Sequence, residues 1–204
     1  MADYLFGQKS DYITFFGPPG AGKGTLAKKL QAMFPEIFSY LSSGDVFRKD
    51  AEKNADMNKL MKGSTFVGDQ QAVNRIFEEL RIMKSNDLYD PSKILLLDGM
   101  SRTIPQVGML AQHFNLLKAV YVHATPDICV SRMMYGDGRE EREQNNTVEK
   151  CMERIQKHNA LTEPLKTHYS RELLLTIDNM QPLSSSFYDL VTGLEDILEP
   201  RKNY

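Results

Sequence analysis

The stretch "FFGPPGAGKGTLAKKL" (residues 15–30) constrains the fold of this chain more than any other. It places four glycines and two prolines between an aromatic pair and an amphipathic basic segment. The preceding "YITFF" (12–16) predicts a buried strand, and "TLAKKLQAMF" (25–34) predicts a helix. A glycine-rich turn between a strand and a helix is a place where backbone N–H groups and the positive end of the helix can surround a phosphate.

The residues within this turn have the chemistry of a nucleotide-phosphate site. Glycines allow a phosphate to approach the backbone, Lys23 supplies a compact cation, and the hydroxyl of Thr25 can contact Mg²⁺. The pattern G-x-x-x-x-G-K-[ST] matches through Lys23, but Gly24 separates the lysine from the hydroxyl. A purely structural turn is the alternative, and the strand and helix on either side favour phosphate binding. The third glycine of a dinucleotide-binding fingerprint is absent.

The rest of the chain alternates short apolar runs with helical patterns. Further strands are predicted at "FSYL" (38–41), "KILLLD" (93–98), "LKAVYVHA" (117–124) and "LLLTID" (173–178). Helices are predicted over 44–62, 71–83, 126–134 and 147–169. A C-terminal helix is predicted to carry on one face Phe187, Leu190, Val191, Leu194 and Ile197. This alternation predicts a three-layer α/β/α fold with a parallel five-stranded sheet. Ligands of such sheets bind beyond the carboxyl ends of the strands.

Composition narrows the class of protein. The 204 residues have a formal net charge of -2, which gives no indication of a nucleic-acid partner or of an anionic membrane. The start, "MADYLFGQKSDY", lacks the basic and apolar regions of a signal peptide, and the longest aliphatic run, 94–97, is too short to span a bilayer. We therefore expect a cytoplasmic protein. Cys129 and Cys151 have no zinc-site spacing, and Cys151 is predicted to be a reduced core thiol beside Val148, Met152 and Ile155.

Five segments, in order along nearly the whole chain, resemble the motifs of one enzyme family. "GPPGAGKGT" (17–25) is similar to the phosphate loop of adenylate kinases and related nucleoside monophosphate kinases. The others are "YLSSGDVFR" (40–48), "LLLDGMSRTIPQ" (95–106), "TEPLKTHY" (162–169) and "TIDNMQP" (176–182). The resemblance implies a P-loop kinase that transfers a phosphoryl group from MgATP to AMP and forms two ADP. It also implies a monomer with a helical monophosphate-binding arm and a short lid without zinc.

The resemblance implies roles for individual residues. The acceptor phosphate is already anionic, so the reaction needs neutralisation of charge and in-line positioning more than a general base. The expected ATP-binding residues are Gly17, Pro18, Gly20, Ala21, Gly22, Lys23, Gly24, Thr25, Arg132 and Gln181. The expected AMP-binding residues are Ser43, Gly44, Arg48, Val67, Gly99, Arg102 and Gln106. The expected catalytic residues are Lys23, Arg48, Arg102, Arg132, Arg142 and Arg154. Thr25 and Asp98 are expected to hold Mg²⁺, largely through water.

The same resemblance implies that the chain is divided into a core, an arm and a lid. It also identifies positions at which this sequence differs from the family pattern. The core is expected over about 1–42, 69–135 and 147–204, the monophosphate-binding arm over about 43–68 and the lid over about 136–146. Gly136 stands in place of an arginine, and Asn145 and Asn146 stand in place of acidic residues. Met100 and Ser101 replace an aromatic residue and a proline. We expect loss of that proline to loosen the turn that aims Arg102, by about 0.5–1 kcal/mol.

Two alternatives to an adenylate kinase remain open at this point. One is a kinase for UMP or CMP, which predicts phosphorylation of pyrimidine monophosphates. The other is a nucleotide-binding relative with impaired catalysis and a regulatory or assembly role, suggested by the departures in the lid and in the acceptor motif. The presence of every charged residue that the reaction would use argues against impairment: Lys23, Asp98, Arg48, Arg102, Arg132 and Arg154. A panel of acceptor nucleotides separates the three possibilities.

Overall fold

A parallel sheet forms the centre of the molecule, as the sequence predicts. The computed structural model describes residues 9–55, 67–136 and 147–201. The strands in these residues are β1 (Ser10–Phe16), β2 (Phe38–Ser42), β3 (Ile94–Asp98), β4 (Phe114–His123) and β5 (Leu174–Asp178). They are all parallel, in the order β2-β3-β1-β4-β5. Because β1 and β3 are neighbours near the middle, the segments that follow them meet at one edge of the sheet.

Helices connect the strands and cover both faces of the sheet. In the described residues they are α1 (Lys23–Met33), α2 (Ser43–Lys53), α3 (Asp69–Ser85), α4 (Ile104–Ala111), α5 (Pro126–Tyr135), α6 (Val148–His168), α7 (Leu183–Thr192) and α8 (Glu195–Leu198), followed by a 3-10 turn at Glu199–Arg201. Parallel strands require such crossover connections. The predicted three-layer α/β/α class is therefore confirmed.

Alternation along β1 separates the two layers of the core. Ile13 and Phe15 face the layer built by α1, α5 and α7. Tyr12 faces the opposite layer, built by α3 and α4. Successive side chains of a strand point to opposite faces, so a strand covered on both sides is apolar throughout. The continuous run "ILLL" of β3 follows from this, because all four residues are buried.

The structure differs from the sequence-based prediction in several elements. The α4 helix was not predicted, although Thr103 caps it and Pro105 lies in its first turn. The predicted C-terminal helix is interrupted after Thr192. Of the predicted helix 44–62, residues 43–53 are helical and residues 56–66 lie outside the described part. The division into core, arm and lid stays a prediction.

Both cysteines are buried and form no disulfide among the described residues, as predicted for the Cys151 thiol. Ile155 is buried beside Cys151, but Val148 is 52% exposed, so its predicted place on the buried face is wrong. Val148 is the first residue of α6, where the chain has only begun to approach the core. Across the described ranges, no helix combines the length and apolar character needed to cross a membrane.

Candidate active site

A cleft of about 460 Å³ opens at the carboxyl ends of β1, β2 and β3. Residues from the phosphate loop, from the turn after β3 and from α2 and α6 line it together. The predicted site residues in the lining are Gly20, Gly22, Lys23, Gly24, Thr25, Gly44, Arg48, Val67, Asp98, Gly99, Arg102, Gln106 and Arg154. The structure thus places both halves of the predicted site around one cleft, where the topology of a parallel sheet puts ligands.

The phosphate loop is held by its own lysine. Lys23 is the first residue of α1, and its Nζ donates hydrogen bonds to the carbonyl oxygens of Gly17 (2.8 Å) and Pro18 (2.9 Å). The Ala21 N–H donates to the same Pro18 oxygen at 3.2 Å. Pro18 and Ala21 therefore act behind the cleft as parts of the loop framework. Lys23 itself lines the cleft at the positive end of α1.

Two glycines of the loop meet different requirements. Gly20 has φ of 86°, and a Cβ there would lie 2.4 Å from the carbonyl oxygen of Cys129 in α5. Packing of the loop on α5 therefore demands this glycine. A Cβ at Gly24 would lie 2.9 Å from Oδ2 of Asp98. The shift of the hydroxyl from position 24 to Thr25 thus leaves the space in front of the Asp98 carboxylate clear.

Asp98 ends β3 at the floor of the cleft. Burial raises the pKa of its carboxyl, while Lys23 and a hydrogen bond from Tyr40 act in the opposite direction. The Tyr40 hydroxyl donates that bond to Oδ2 at 3.1 Å. Thr25 is exposed in the same cleft. A carboxylate and a hydroxyl beside open space suit Mg²⁺, which keeps several waters and few protein ligands. In 9–55, 67–136 and 147–201, no three His, Cys, Asp or Glu side chains form a metal cluster.

The start of α2 forms the second wall. Ser42 caps the helix by accepting a hydrogen bond from the Asp45 N–H at 3.2 Å. Ser43 lies behind the wall, buried, and its hydroxyl donates to the Asp98 carbonyl at 3.1 Å. Arg48 donates to the Asp45 carboxylate and lies across Gly44, where a Cβ would be 3.1 Å from the guanidinium. The small residue at position 44 therefore allows Arg48 to reach the cleft.

Positive charge converges on Arg102 from several elements. Its Nε donates to the Gly99 carbonyl. Burial lowers the pKa of Arg102, the nearby Arg48 and Arg154 lower it further, and Asp98 raises it. Guanidinium groups from α2, from the turn after β3 and from α6 are thus close enough to repel one another. An anionic ligand with several oxygens would relieve that repulsion, and the planar arginine fork suits phosphate.

The backbone of the turn that carries Arg102 differs from the one that a proline at position 101 would adopt. Ser101 has φ of 61°, whereas a proline ring holds φ near about −65°. The expectation that a missing proline loosens this turn is therefore wrong, because the backbone here adopts a conformation that proline excludes. Met100 is 2% exposed and packs in the core, so it fills an apolar position.

The donor-side residues Arg132 and Gln181 lie away from the cleft lining. The Arg132 guanidinium donates to the carbonyls of Ala21 (3.4 Å) and Asn179 (2.7 Å), so it joins the phosphate loop to the turn after β5. The Asn179 amide donates to the same Ala21 oxygen at 2.6 Å. Gln181 is turned to the surface, where it donates to Asp189 at 2.6 Å.

Comparisons with known proteins agree with this geometry. The family model described as "Adenylate kinase" matches residues 15–173. An adenylate kinase of Encephalitozoon cuniculi is 30% identical over 92% of this chain and 99% of its own length. Those of Nitrobacter hamburgensis and Sinorhizobium medicae are 30% and 32% identical, over 91% and 82% of this chain and 93% and 91% of theirs. The chain belongs to the adenylate kinase family. It is therefore a nucleoside monophosphate kinase, and phosphoryl transfer between ATP and AMP is the family's reaction.

From residue 137 onward, the predicted lid falls outside the described residues. Arg142, Asn145 and Asn146 all lie there, so their assignments stay predictions. Gly136, just before that segment, is described. A Cβ at Gly136 would lie 2.4 Å from the carbonyl oxygen of Arg132. An arginine at this position would therefore need a different backbone path at the end of α5.

Sequence reasoning missed several residues that build the adenylate kinase site. They are Tyr40, which bonds Asp98, Asn179, which bonds the phosphate loop, and Lys157 and His158, which line the cleft. Arg154, Lys157 and His158 have the spacing of one helix face, and that signal could have found the last two. Burial holds the pKa of His158 well below its usual value, and Lys23 and Arg102 lower it further.

Proposed function

We propose that this protein transfers the γ-phosphoryl group of ATP to AMP reversibly, giving two ADP. The observation that carries the proposal is the single cleft. In it, the Lys23 loop, the Asp98 carboxylate and the arginines of the acceptor side line one continuous space. A reaction between two nucleotides needs both phosphate chains in one place, in line and shielded from water. From the family resemblance, we also propose that it acts as a monomer.

On the donor side, the proposal assigns the phosphates of ATP to the loop 17–25. Backbone N–H groups at the start of α1 and the Lys23 ammonium would bind the terminal phosphates. The adenine would lie toward Arg132, which already joins the loop to the turn after β5. Gln181 would have to leave Asp189 to contact the base. For that reason its assignment as an ATP contact has the least structural support.

On the acceptor side, the proposal assigns the phosphate of AMP to Arg48 and Arg102. Gly44 and Gly99 give these side chains room, since the Arg48 and Arg102 guanidinium groups lie within 3.4 Å of the Cβ positions that the glycines leave empty. Gln106 is buried, lines the cleft and has an amide that can pair with the edge of a base. Val67 lines the same end of the cleft.

In the transfer itself, an oxygen of the AMP phosphate attacks the γ-phosphorus and forms the new P–O bond. The bond from that phosphorus to the β–γ bridging oxygen breaks, and its electron pair leaves with ADP. Negative charge accumulates on the oxygens around the transferred phosphorus, so the cations of Lys23, Arg102 and Arg154 stabilise the transition state. Mg²⁺ held at Asp98 and Thr25 would supply further neutralisation when it is bound with ATP.

The experiment is a panel of acceptors. Formation of ADP from MgATP is measured with AMP, dAMP, CMP, UMP and GMP, on the wild type and on a protein-free control. Turnover that is fastest with AMP supports the proposal. Turnover that is fastest with UMP or CMP replaces it with a pyrimidine monophosphate kinase. Nucleotide binding without turnover on any acceptor replaces it with the catalytically impaired relative.

A further inference from the structure

The amide of Gln106 is held on both sides by groups outside its own helix turn. Its Nε2 donates a hydrogen bond to Oδ1 of Asp69 at 2.9 Å. Its Oε1 accepts a hydrogen bond from the backbone N–H of Arg102, also at 2.9 Å. Asp69 is the first residue of α3, 37 positions away in sequence. This contact therefore joins the end of the predicted arm to the acceptor turn.

A third side chain completes the contact. The hydroxyl of Thr103 donates to the same Asp69 oxygen at 2.9 Å and accepts the Gln106 N–H as the cap of α4. With its proton directed to Asp69, Thr103 fixes the carboxylate from a second direction. The carboxylate thus has two donors and cannot turn away without losing both.

The chemistry of these neighbours allows only one orientation of the amide. A carboxylate accepts hydrogen bonds and donates none, so it must face the NH₂ group of Gln106. A backbone N–H donates and accepts none, so it must face the carbonyl. Turning the amide over would place oxygen against carboxylate and N–H against N–H. Each amide atom still keeps one further bonding direction for a ligand.

Orientation of the amide decides which base edges can pair with it. Adenine presents an acceptor, N1, beside a donor, the N6 amino group. A fixed amide N–H and C=O match that pair. Guanine presents the reverse, with N1–H as donor and O6 as acceptor. In a slot that holds the base in one orientation, a glutamine free to turn over would pair with either edge, and a fixed one pairs with adenine or with the equivalent edge of cytosine.

We propose that Asp69 is a specificity-determining residue, whose carboxylate locks the Gln106 amide so that the acceptor site admits adenine-type edges and rejects guanine-type edges. Asp69 acts through Gln106 and is therefore a positioning residue. The proposal rests on the proposed function, since it takes the Gln106 end of the cleft as the acceptor-base site.

The test compares AMP with GMP in wild type and Asp69→Asn. The asparagine is close in shape, but it can offer either an oxygen or an NH₂ group to Gln106. The ratio of Kd for GMP to Kd for AMP is measured by calorimetry, and the ratio of kcat/KM values is measured by ADP formation. We expect both ratios to fall roughly tenfold in the variant, with KM for ATP and kcat at saturating AMP within about twofold of wild type.

Two controls separate orientation from loss of structure. Asp50→Asn makes the same substitution at a carboxylate that bonds Arg75 (2.7 Å) on the same α3 helix, and it should leave the ratios unchanged. In a Gln106→Ala background, Asp69→Asn should change the ratios by less than about twofold, because the amide it orients is gone. AMP and GMP report on the same folded molecules, so partial unfolding does not alter a ratio.

Unchanged ratios in Asp69→Asn, or an equal fall in the Gln106→Ala background, would overturn the proposal. If Asp69→Asn does not fold, Asp69→Ala removes the acceptor and is measured in its place with the same expectation. If wild type turns over no acceptor, the proposed function fails. The calorimetric ratio then still decides whether Asp69 orients the amide.

Discussion

The phosphate loop and the acceptor turn occupy equivalent places on neighbouring strands, yet they are held in different ways. The loop follows β1 and opens α1, and its lysine bonds carbonyls five and six positions away. The acceptor turn, residues 99–106, follows β3 and opens α4. Its contacts come from remote residues, since Asp69 bonds Gln106 and the hydroxyl of Thr14 donates to the Met100 carbonyl across 86 positions.

This difference explains why one region matches its family pattern closely and the other does not. A loop whose lysine bonds its own carbonyls needs those residues in a fixed order, although Arg132 and Asn179 also bond one of its carbonyls. A turn stabilised from outside can change locally, as at Met100 and Ser101, while its arginine keeps its place beside Asp98. The loop should therefore respond to local substitutions, and the turn should respond to changes in distant partners.

The largest effect is expected from Lys23→Ala, which removes the cation of the phosphate loop. We expect kcat to fall by about 10³-fold, because one preorganised charge at the reacting phosphates is lost. Lys29→Ala is the matched control, since Lys29 is an exposed α1 lysine that lies over the Phe187 ring. Circular dichroism and the melting temperature check that both variants fold. A Lys23→Ala enzyme with most of its activity would show that the loop does not bind the reacting phosphates.

Arg102→Lys should give the next largest effect, with the change in KM confined to AMP. Lysine keeps the charge and loses the fork that grips two phosphate oxygens, so kcat/KM for AMP should fall by about 10²-fold. KM for ATP should change by less than about threefold. Arg81→Lys, on the exposed side of α3, provides the same substitution away from the cleft. An equal rise in KM for ATP and for AMP would contradict a role of Arg102 in binding the acceptor.

His158 should make stability depend on pH. Its pKa in the folded protein lies well below 6.5, because it is buried and faces Lys23 and Arg102, with Thr162 beside it. Below about pH 6.5 the unfolded chain takes up a proton that the folded protein does not, so stability is lost as pH falls. The loss approaches about 1.4 kcal/mol per pH unit at most.

Chemical denaturation of wild type and His158→Gln at pH 7.5 and 5.5 measures this pH-dependent contribution of His158 to stability. The difference in free energy of unfolding between the two pH values should be smaller in the variant. An identical difference would show that His158 is protonated in the folded state or does not contribute.

The smallest effect is expected in the acceptor turn. Ser101 adopts φ of 61°, which is strained for any residue with a Cβ. Its hydroxyl is buried near the hydroxyls of Tyr12 and Tyr169, whose pKa values burial raises and this hydroxyl lowers, without a hydrogen bond of good geometry to either. Ser101→Gly should therefore stabilise the protein by about 1 kcal/mol, as measured by denaturation. Ser186→Gly, at a buried serine whose hydroxyl donates to Asp178, should destabilise it instead. A destabilised Ser101→Gly would mean that the hydroxyl makes a needed contact.

The sequence alone determined the features that depend on neighbours along the chain. Alternating apolar runs and helical patterns predicted the five strands, and "GPPGAGKGT" predicted a phosphate loop whose lysine makes local contacts. Motifs in order predicted most of the residues that line the cleft. The α4 helix was not predicted, because it has only eight residues and its capping signal, Thr103 with Gln106, was overlooked.

Only the tertiary structure decided which of those residues face one another. Tyr40 bonds Asp98 because β2 and β3 are paired, and Asn179 bonds Ala21 because the turn after β5 returns to the phosphate loop. The partner of Gln106 could not be identified from spacing, since Asp69 lies on another helix. Long-range contacts of this kind depend on strand order and helix packing, which are properties of the whole chain. Short sequence patterns indicate the local backbone conformation of a residue, but they do not identify the distant side chain that it contacts.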